Sequence, residues 1–230
     1  MKKCILIFGA YGALGRGLIN SFLKEDYDRL YAFDFGADEK GIKDSKIVNI
    51  IIDDLTKEEN VKKAFSNVKG DKDTLFFLYS TVGGYGGGKP LWETEIAEWE
   101  KMFDMNIKAN YLIAKNFAVL VKNSAGGSIC FTSAYVGIKA ERNKAAYGAS
   151  KGALIHLVDT LSMEGQDIRM TVNAIAPYII DTPANRKWMQ NDNYESWTKP
   201  EEIGNLAHML FKNYNFITGN VITLKGRFQK

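Results

Sequence analysis

The pair with the clearest chemical potential is Tyr147 and Lys151, which stand four positions apart in the run Ala-Ala-Tyr-Gly-Ala-Ser-Lys. On a helix this spacing places a phenol and an ammonium on one face, within reach of a common ligand. A neighbouring positive charge favours the phenolate, so we expect the pKa of Tyr147 to lie below its free value of about 10. Such a tyrosine can act as a general acid or base. The alternative is a half-exposed helical face without a chemical role.

The chain begins with an element suited to binding a dinucleotide. The apolar run Lys3–Phe8 has the composition of a buried parallel strand, and a glycine-rich turn and a helical pattern follow it directly. Gly9 would permit a tight turn, Gly12 a close approach to a pyrophosphate, and Gly15 close packing of helix on strand. The helix N-terminus would offer free N–H groups to phosphates. The residues predicted to contact the cofactor here are Gly9, Tyr11, Gly12, Ala13, Leu14 and Gly15; the alternative is a glycine-rich loop without a ligand.

A second apolar strand ends at Asp34, nineteen residues after the last glycine of the predicted turn. A carboxylate at this place accepts hydrogen bonds from the ribose hydroxyls of adenosine and repels a 2′-phosphate. No Arg or Lys immediately follows Asp34. The sequence therefore predicts NADH/NAD rather than the phosphorylated cofactor, with a solvated strand-end carboxylate as the alternative. A third strand leads into Asp54 and Leu55, which we predict at the adenine pocket.

Length and composition are typical of one α/β enzyme domain covering residues 1–230. The net charge of +3 and the scattered lysines argue against a nucleic-acid partner. Cys4 and Cys130 lie in apolar runs and are expected to be free thiols in a reducing compartment. His156 and His208 lack partners at ligand spacing, so we expect no metal. No segment approaches the ~20 apolar residues of a membrane span, and we expect a cytoplasmic protein.

Strands and helices alternate along the chain. This alternation predicts an α/β fold of the Rossmann type, with a parallel sheet, helices on both faces, and ligands beyond the carboxyl ends of the strands. The glycine-rich run Gly83–Gly88 follows the fourth strand and is expected to form a loop over the cofactor, while Asp38 to Lys46 reads as a solvated loop. Candidate strands are 2–8, 29–34, 46–52, 73–80, 127–133, 168–175 and 220–224, and helical patterns lie near 13–25, 57–67, 95–123, 145–165 and 200–212.

Motifs in the order typical of one large family run along nearly the whole chain, which resembles the short-chain dehydrogenases/reductases. The resemblance implies a single domain with a seven-stranded, mostly parallel sheet and a nicotinamide cofactor. Tyr147 would donate a proton, and Lys151 would bind the nicotinamide ribose and lower the tyrosine pKa. Thr182 would lie near the carboxamide. The matching features are the glycine turn, Asp34, Gly83 and Gly84, Asn106, Tyr147 and Lys151, and the late turn from Asn173 to Pro177 with Thr182.

Two departures from the family pattern are informative. In the glycine turn, Ala13 occupies the place where the family commonly has its middle glycine, which here falls at Gly12. Ala134 stands thirteen residues before Tyr147, where the family has a serine that polarises the substrate. Ser133 is one position early, and neighbouring strand residues point to opposite faces, so it cannot simply substitute. Without that donor to a substrate oxygen, the sequence predicts a substrate other than an ordinary ketone or secondary alcohol.

Several segments resemble one branch of this family, the dihydropteridine reductases. They are the glycine turn, the run Gly83–Gly88 with Tyr85 at its aromatic position, Asp181–Lys187 and Tyr194–Thr198. That branch lacks the catalytic serine, in agreement with Ala134, and uses NADH. The resemblance implies reduction of quinonoid dihydropterin to tetrahydropterin, a regeneration of a tetrahydrobiopterin-type cofactor, with hydride from the nicotinamide and a proton from Tyr147. Tyr85 would stack on the pterin; the alternative is an aromatic ring on the protein surface.

Two helical regions, near 102–120 and 147–162, carry more apolar side chains than one stripe against a sheet requires. The family resemblance places them in a homodimer, as a four-helix bundle with two-fold symmetry. The alternative is that all of this surface is intramolecular. The residues concerned are Met102, Met105, Tyr111, Leu112, Leu154, Leu157, Val158 and Leu161.

Other assignments leave alternatives open. Asn106 would hold a proton-relay water or bend its helix. Trp188, Met189 and Trp197 would cover the site as a lid or pack against the domain, whereas Trp92, Trp99 and Phe103 are expected to pack. Two rival functions also stand: another NADH-dependent reductase of a carbonyl substrate, and a catalytically silent dinucleotide-binding redox sensor.

Overall fold

The computed structural model of the protein describes residues 1–36, 41–190 and 192–227. The predicted loop from Asp38 to Lys46 begins outside the described residues, and residues 41–46 are mostly exposed. Within the described ranges, no helix is long and apolar enough to cross a membrane.

Seven strands form one sheet in the order β3-β2-β1-β4-β5-β6-β7, and every neighbouring pair is parallel. The predicted seven-stranded parallel sheet of a single Rossmann-type domain is confirmed. The strand order reverses between β1 and β4, and such a switch point opens a crevice for ligands beyond the carboxyl ends of the strands. The strands are β1 Lys2–Phe8, β2 Arg29–Asp34, β3 Ile47–Ile51, β4 Thr74–Ser80, β5 Gly126–Thr132, β6 Met170–Pro177 and β7 Val221–Leu224.

Helices cover both faces of the sheet. The predicted helix near 95–123 is interrupted, because Asp104–Lys108 adopts a π-helical turn; such turns frequently lie at functional sites. A short helix that the sequence analysis missed begins at Pro183. The α-helices are α1 Ala13–Phe22, α2 Glu58–Phe65, α3 Ile96–Phe103, α4 Ala109–Lys122, α5 Ala145–Glu164, α6 Pro183–Trp188 and α7 Pro200–Lys212, and 3₁₀ turns lie at Leu91–Glu93, Tyr135–Gly137, Gly165–Ile168 and Tyr194–Ser196.

Two apolar clusters, one on each face of the sheet, hold these layers together. All seven residues of β4 are buried, as expected for a central parallel strand. On one face the Phe8 ring stacks on Phe33 at 4.2 Å between centroids and contacts Phe65 at 5.5 Å. The two cysteines are buried and free, as predicted.

The apolar residues assigned to a partner interface divide into two groups. Met102, Leu112, Leu154 and Val158 are buried within the chain itself, so their predicted place in an intermolecular surface is wrong. Of the other four residues, Tyr111 and Leu157 line a groove of about 570 Å³ between the π-helical turn, α4 and α5, whereas Met105 and Leu161 do not belong to its lining. This groove is a part of the two helices that is open to a partner.

The predicted packing of three aromatic residues near α3 is right for two of them. Trp99 stacks on Phe103 with 4.4 Å between ring centroids. Trp92, in contrast, is 85% exposed and packs against no core. Its neighbours in the 3₁₀ turn Leu91–Glu93 are exposed as well, so this turn lies on the surface.

Candidate active site

The glycine turn between β1 and α1 contains glycines of two kinds. Gly9 has φ +75°, and a Cβ there would lie 2.3 Å from Thr81 Oγ1. A Cβ on Gly15 would lie 2.2 Å from the carbonyl oxygen of Gly9, so both positions require glycine for the fold itself. At Gly12 a Cβ would meet only that same oxygen, at an ordinary 3.7 Å. Packing within the described part of the chain therefore does not require a glycine at position 12.

Gly12 is also the N-cap of α1, and no side chain caps the N–H groups of that helix. An open helix N-terminus beside a residue without a side chain is suited to bind a pyrophosphate. The residues present therefore fit a dinucleotide, because the place that a Cβ would fill is left to the ligand.

Asp34 closes the side of the turn at the end of β2. Its Oδ2 accepts a hydrogen bond from the backbone N–H of Tyr11 at 2.7 Å, and its Oδ1 accepts one from Phe35 N–H at 2.8 Å. The carboxylate thus lies at the nucleotide turn, where a ribose would come within its reach. Arg16, which belongs to none of the predicted contacts, also lies at this turn: its guanidinium donates to the Tyr11 carbonyl at 3.0 Å and lies 5.4 Å from the centre of the Tyr11 ring.

The two residues predicted at the adenine pocket have different environments. Asp54 accepts hydrogen bonds from the Thr56 hydroxyl at 2.7 Å and the Thr56 N–H at 2.9 Å, which lower its pKa. Leu55 is 3% exposed, and its side chain belongs to the core cluster that contains Phe33. Because its side chain is buried, Leu55 would contact a cofactor through its backbone.

Tyr147 and Lys151 lie on the first turns of α5, and their protonation differs from the expectation. Burial lowers the pKa of Lys151 to about 8, and its ammonium donates to the Thr132 carbonyl oxygen at 2.9 Å. Burial, followed by the nearby Tyr85 and Glu141, raises the pKa of Tyr147 to about 12. The predicted lowering of the tyrosine pKa is therefore wrong, since desolvation and a neighbouring carboxylate both disfavour the phenolate. At neutral pH the phenol holds its proton.

Residue 134, at the strand end beside this pair, carries no hydroxyl. Ala134 is buried, with 7% exposure. The neighbouring Ser133 is buried too, and its hydroxyl donates to the Lys151 carbonyl oxygen at 3.2 Å. The proton of the Ser133 hydroxyl is therefore already used in a hydrogen bond to α5.

Asn106, on the π-helical turn, holds the glycine loop against α5. Its Oδ1 accepts from Gly84 N–H at 2.9 Å, and its Nδ2 donates to the Gly84 carbonyl at 3.1 Å and to Ser150 Oγ at 3.0 Å. A Cβ on Gly83 would lie 2.5 Å from Asn106 Oδ1 and 3.0 Å from Lys151 Nζ. These contacts favour the structural alternative for Asn106.

Three aromatic rings from separate segments meet at the mouth of the site. The Tyr85 ring lies 5.1 Å from the Tyr147 ring and 5.4 Å from the Trp188 ring, in edge-on geometry. Tyr85 is therefore not an isolated surface residue, although 49% of it is exposed. Trp197 is 3% exposed and packs on Tyr194, which favours the packing alternative for this residue, whereas Trp188 contacts Tyr85.

The turn after β6 and the short helix α6 that follows it place Trp188 beside Tyr85. Pro177 is the last residue of β6, and Thr182 is the N-cap of α6, accepting a hydrogen bond from Asn185 N–H at 3.2 Å. Thr182 followed by proline is a recognisable helix start that the sequence analysis overlooked.

Among the described residues, no group of three or more His, Cys, Asp or Glu side chains is placed to hold a metal ion.

A dinucleotide turn at the switch point of a parallel sheet, beside a Tyr-x-x-x-Lys pair, defines the class of protein. The sequence model of the short chain dehydrogenase family matches residues 3–193 of this chain. The chain belongs to this family and is an NAD(P)-dependent oxidoreductase.

Individual relatives are more distant. The chain is 28% identical over 219 residues to a dihydropteridine reductase of Dictyostelium discoideum, covering 92% of this chain and 87% of that protein. It is 25% identical to an NAD-dependent glycerol dehydrogenase of Listeria innocua, over 98% and 93% of the two chains. Among solved structures, 4-hydroxyisoleucine dehydrogenase complexed with NADH matches with a TM-score of 0.82 at 25% identity, each chain being covered to 98%. ElxO with NADP bound matches at 0.84 and 24%, over 97% of each chain, and supports the fold alone.

Proposed function

We propose that the protein reduces quinonoid dihydropterin to tetrahydropterin with NADH, and so regenerates a tetrahydrobiopterin-type cofactor. The observation that carries the proposal is the combination at one site of a protonated Tyr147, the aromatic ring of Tyr85, and Ala134 in place of a hydroxyl. The similarity to the reductase of Dictyostelium discoideum supports the same reaction.

The residues divide the work as follows. Gly9, Tyr11, Gly12, Ala13, Leu14 and Gly15, with Asp34, Asp54, the Leu55 backbone, Gly83, Gly84, Pro177 and Thr182, are the proposed cofactor contacts. When bound, the nicotinamide supplies the hydride. Lys151 would bind the ribose while charged, which its pKa of about 8 allows at neutral pH.

Tyr147 supplies the proton in this proposal. With a pKa of about 12 its phenol is protonated throughout the neutral range and donates directly to the heterocycle. Burial favours the neutral phenol over the phenolate. It therefore suits a side chain that donates a proton and would hinder one that must accept a proton. A quinonoid ring is already electron-poor, so it needs less polarisation than a ketone, and this explains why Ala134 is tolerated.

Tyr85 and Trp188 would border the flat substrate. Their edges meet close to the Tyr147 ring, and aromatic side chains prefer offset or edge-on contacts with a planar ring. Tyr85 is our candidate for the ring that stacks on the pterin. An exposed Trp188 on the short helix α6 then forms the outer wall.

The decisive experiment compares substrates. NADH oxidation would be followed with chemically generated quinonoid dihydropterin and with a panel of ketones, against a reaction without enzyme. We expect rapid oxidation with the pterin and little with the ketones. Strong ketone reduction together with no pterin turnover would return the protein to the carbonyl reductases, and cofactor binding without any turnover would leave the silent redox sensor.

We also propose a homodimer formed through the groove that borders Tyr111. This groove presents Tyr111, which is 51% exposed, and the half-buried Leu157. Light scattering on the purified protein tests the proposal, and Tyr111→Glu should shift the equilibrium to monomer. A monomer in both cases would refute it.

A further inference from the structure

An ion pair that belongs to none of the motifs above stands at the mouth of the cleft. Lys144 Nζ lies 2.6 Å from Glu141 Oε2, in the turn before α5. Both side chains are about 30% exposed, so they are sheltered but open to the cleft. An exposed pair of this kind typically contributes 0–1 kcal/mol to folding. Stability is therefore a weak reason for its presence.

The backbone fixes this turn against the glycine loop. Asn143 adopts the left-handed conformation at φ +60°, which few residues other than glycine and asparagine do without cost. Its carbonyl oxygen accepts a hydrogen bond from Gly88 N–H at 2.8 Å. A Cβ on Gly87 would lie 2.7 Å from the same oxygen. The glycine loop and the turn that carries the ion pair, two segments far apart in sequence, are thereby held together.

The two charges face the rings of the site. Lys144 Nζ lies 5.8 Å from the centre of the Tyr85 ring, and that ring contacts Tyr147. The Glu141 carboxylate is close enough to Tyr147 for its charge to act on the phenol, and the Tyr178 phenol acts similarly on Lys144. An anion and a cation thus stand side by side along the edge of an aromatic cleft.

We propose that Glu141 and Lys144 are specificity residues that recognise the amino–oxo edge of the substrate's pyrimidine ring. The inference rests on the proposed pterin function and names the part of the substrate that this pair binds. A dihydropterin presents N–H groups at N3 and at the exocyclic 2-nitrogen side by side, with the 4-oxo oxygen next to them. A carboxylate can accept both N–H groups, and an ammonium can donate to the oxygen. An adjacent anion and cation thus complement the adjacent donors and acceptor on this edge of the ring.

This arrangement also accounts for selectivity. A simple ketone or an alcohol has no donor pair for Glu141 and would leave the ion pair closed on itself. A 2,4-dioxopteridine places an oxygen where the 2-nitrogen stands and directs a lone pair at the carboxylate. A site built to receive N–H groups rejects an analogue that lacks them.

The test uses three single variants of the full-length enzyme. Glu141→Gln keeps the size of the side chain and removes its charge, and Lys144→Gln removes the partner charge. Glu59→Gln, on the exposed surface of α2 and in no proposed contact with substrate or cofactor, is the matched control. For each protein, kcat and KM are measured with quinonoid dihydropterin, and pterin and 2,4-dioxopteridine are titrated by fluorescence against the enzyme with NAD bound.

We expect Glu141→Gln to raise KM about 10- to 100-fold, the range for loss of a charge-assisted hydrogen bond, with kcat within about threefold. Its preference for pterin over the dioxo compound should fall by at least about tenfold. Lys144→Gln should raise KM by a smaller factor, and Glu59→Gln should match the parent enzyme.

Several results would overturn the inference. An unchanged KM in Glu141→Gln would do so, as would an unmodified enzyme that binds the two pteridines equally. A fall in kcat alone, with a shifted pH profile, would show that Glu141 acts through Tyr147 instead of on the substrate. An unmodified enzyme that does not turn over dihydropterin, in contrast, refutes the proposed function, and the titrations still decide the role of Glu141.

Discussion

The half of the site that would hold the nucleotide and the half that would hold the substrate are built in different ways. The part of the nucleotide half around the glycine turn comes from one stretch of chain, residues 9–34, in which Gly9 and Gly15 pack closely and the Asp34 carboxylate accepts a hydrogen bond from Tyr11 N–H. The substrate half joins Tyr85, Tyr147 and Trp188 from three distant segments. Local backbone geometry therefore prepares the general chemistry of the family. Long-range packing decides which molecule that chemistry reaches.

The largest effect should come from Tyr147→Phe, which removes the proposed proton donor and keeps the ring that Tyr85 contacts. We expect kcat to fall by ~10²–10⁴, the usual effect of losing a general acid, while NADH binding persists. Stopped-flow turnover and fluorescence titration with NADH measure the two quantities. Full activity in this variant would show that solvent supplies the proton, and the substrate half would then lack a catalytic acid.

A pair of glycine substitutions separates folding from binding within the nucleotide half. Gly15→Ala places a Cβ 2.2 Å from the Gly9 carbonyl oxygen and should lower the free energy of unfolding by about 1–3 kcal/mol. Gly12→Ala meets nothing closer than 3.7 Å and should leave stability within about 0.5 kcal/mol while weakening NADH binding. Denaturant melts and cofactor titrations give both numbers. Equal destabilisation of the two variants would contradict the ligand role of Gly12.

The pH dependence of both activity and stability should reflect the titration of Lys151. Because its pKa is lowered to about 8, kcat/KM should fall about tenfold per pH unit above that value as the ammonium is lost. Stability should change in the opposite direction. Between about pH 8 and the ordinary value of 10.5 the unfolded chain binds more protons at this site than the folded one, so this site's contribution to stability rises with pH.

Activity and urea melts across this range test both statements, with Lys151→Met as the control that removes the titrating group. A parallel fall of activity and stability would attribute the loss to unfolding instead of to the lysine.

A smaller effect is expected at Asp34, the carboxylate that we propose selects the cofactor. Asp34→Asn keeps an acceptor for Tyr11 N–H and removes the charge that repels a 2′-phosphate. The preference for NADH over NADPH should narrow by about tenfold, since one exposed pair of charges at 4 Å in water is worth about 1 kcal/mol and the phosphate carries up to two. The guanidinium of Arg16 near Tyr11 already favours a phosphate. A parent enzyme that prefers NADPH would show that Arg16, and not Asp34, sets the choice.

The smallest effect concerns Ala134→Ser. If the substrate needs no hydroxyl at this position, pterin reduction should stay within about an order of magnitude, equivalent to about 1.4 kcal/mol in the barrier. We expect the new Oγ to permit slow reduction of a ketone that the parent enzyme does not reduce. A large gain in pterin turnover would mean that a polarising donor is useful after all, and would weaken the argument from Ala134.

Much of the fold could be predicted because its elements have local causes. The central strands are short apolar runs between turns, and their predicted bounds differ from the structure by at most two residues. The π-helical turn at Asp104–Lys108 has no signal in the apolar pattern, which continues through it. Helix α6 had a signal in Thr182 and the following proline, but its six residues are too few for a periodic pattern.

The sequence by itself determined the parallel sheet, the dinucleotide turn, and the pairing of Tyr147 with Lys151, because each follows from residues close together in the chain. Only the tertiary structure decided the pKa of Tyr147, which rises through burial and the neighbouring Tyr85 and Glu141. It also decided that Trp188, and not Trp197, meets Tyr85. Desolvation and ring contacts depend on which distant segments pack together, and no local pattern of residues encodes that packing.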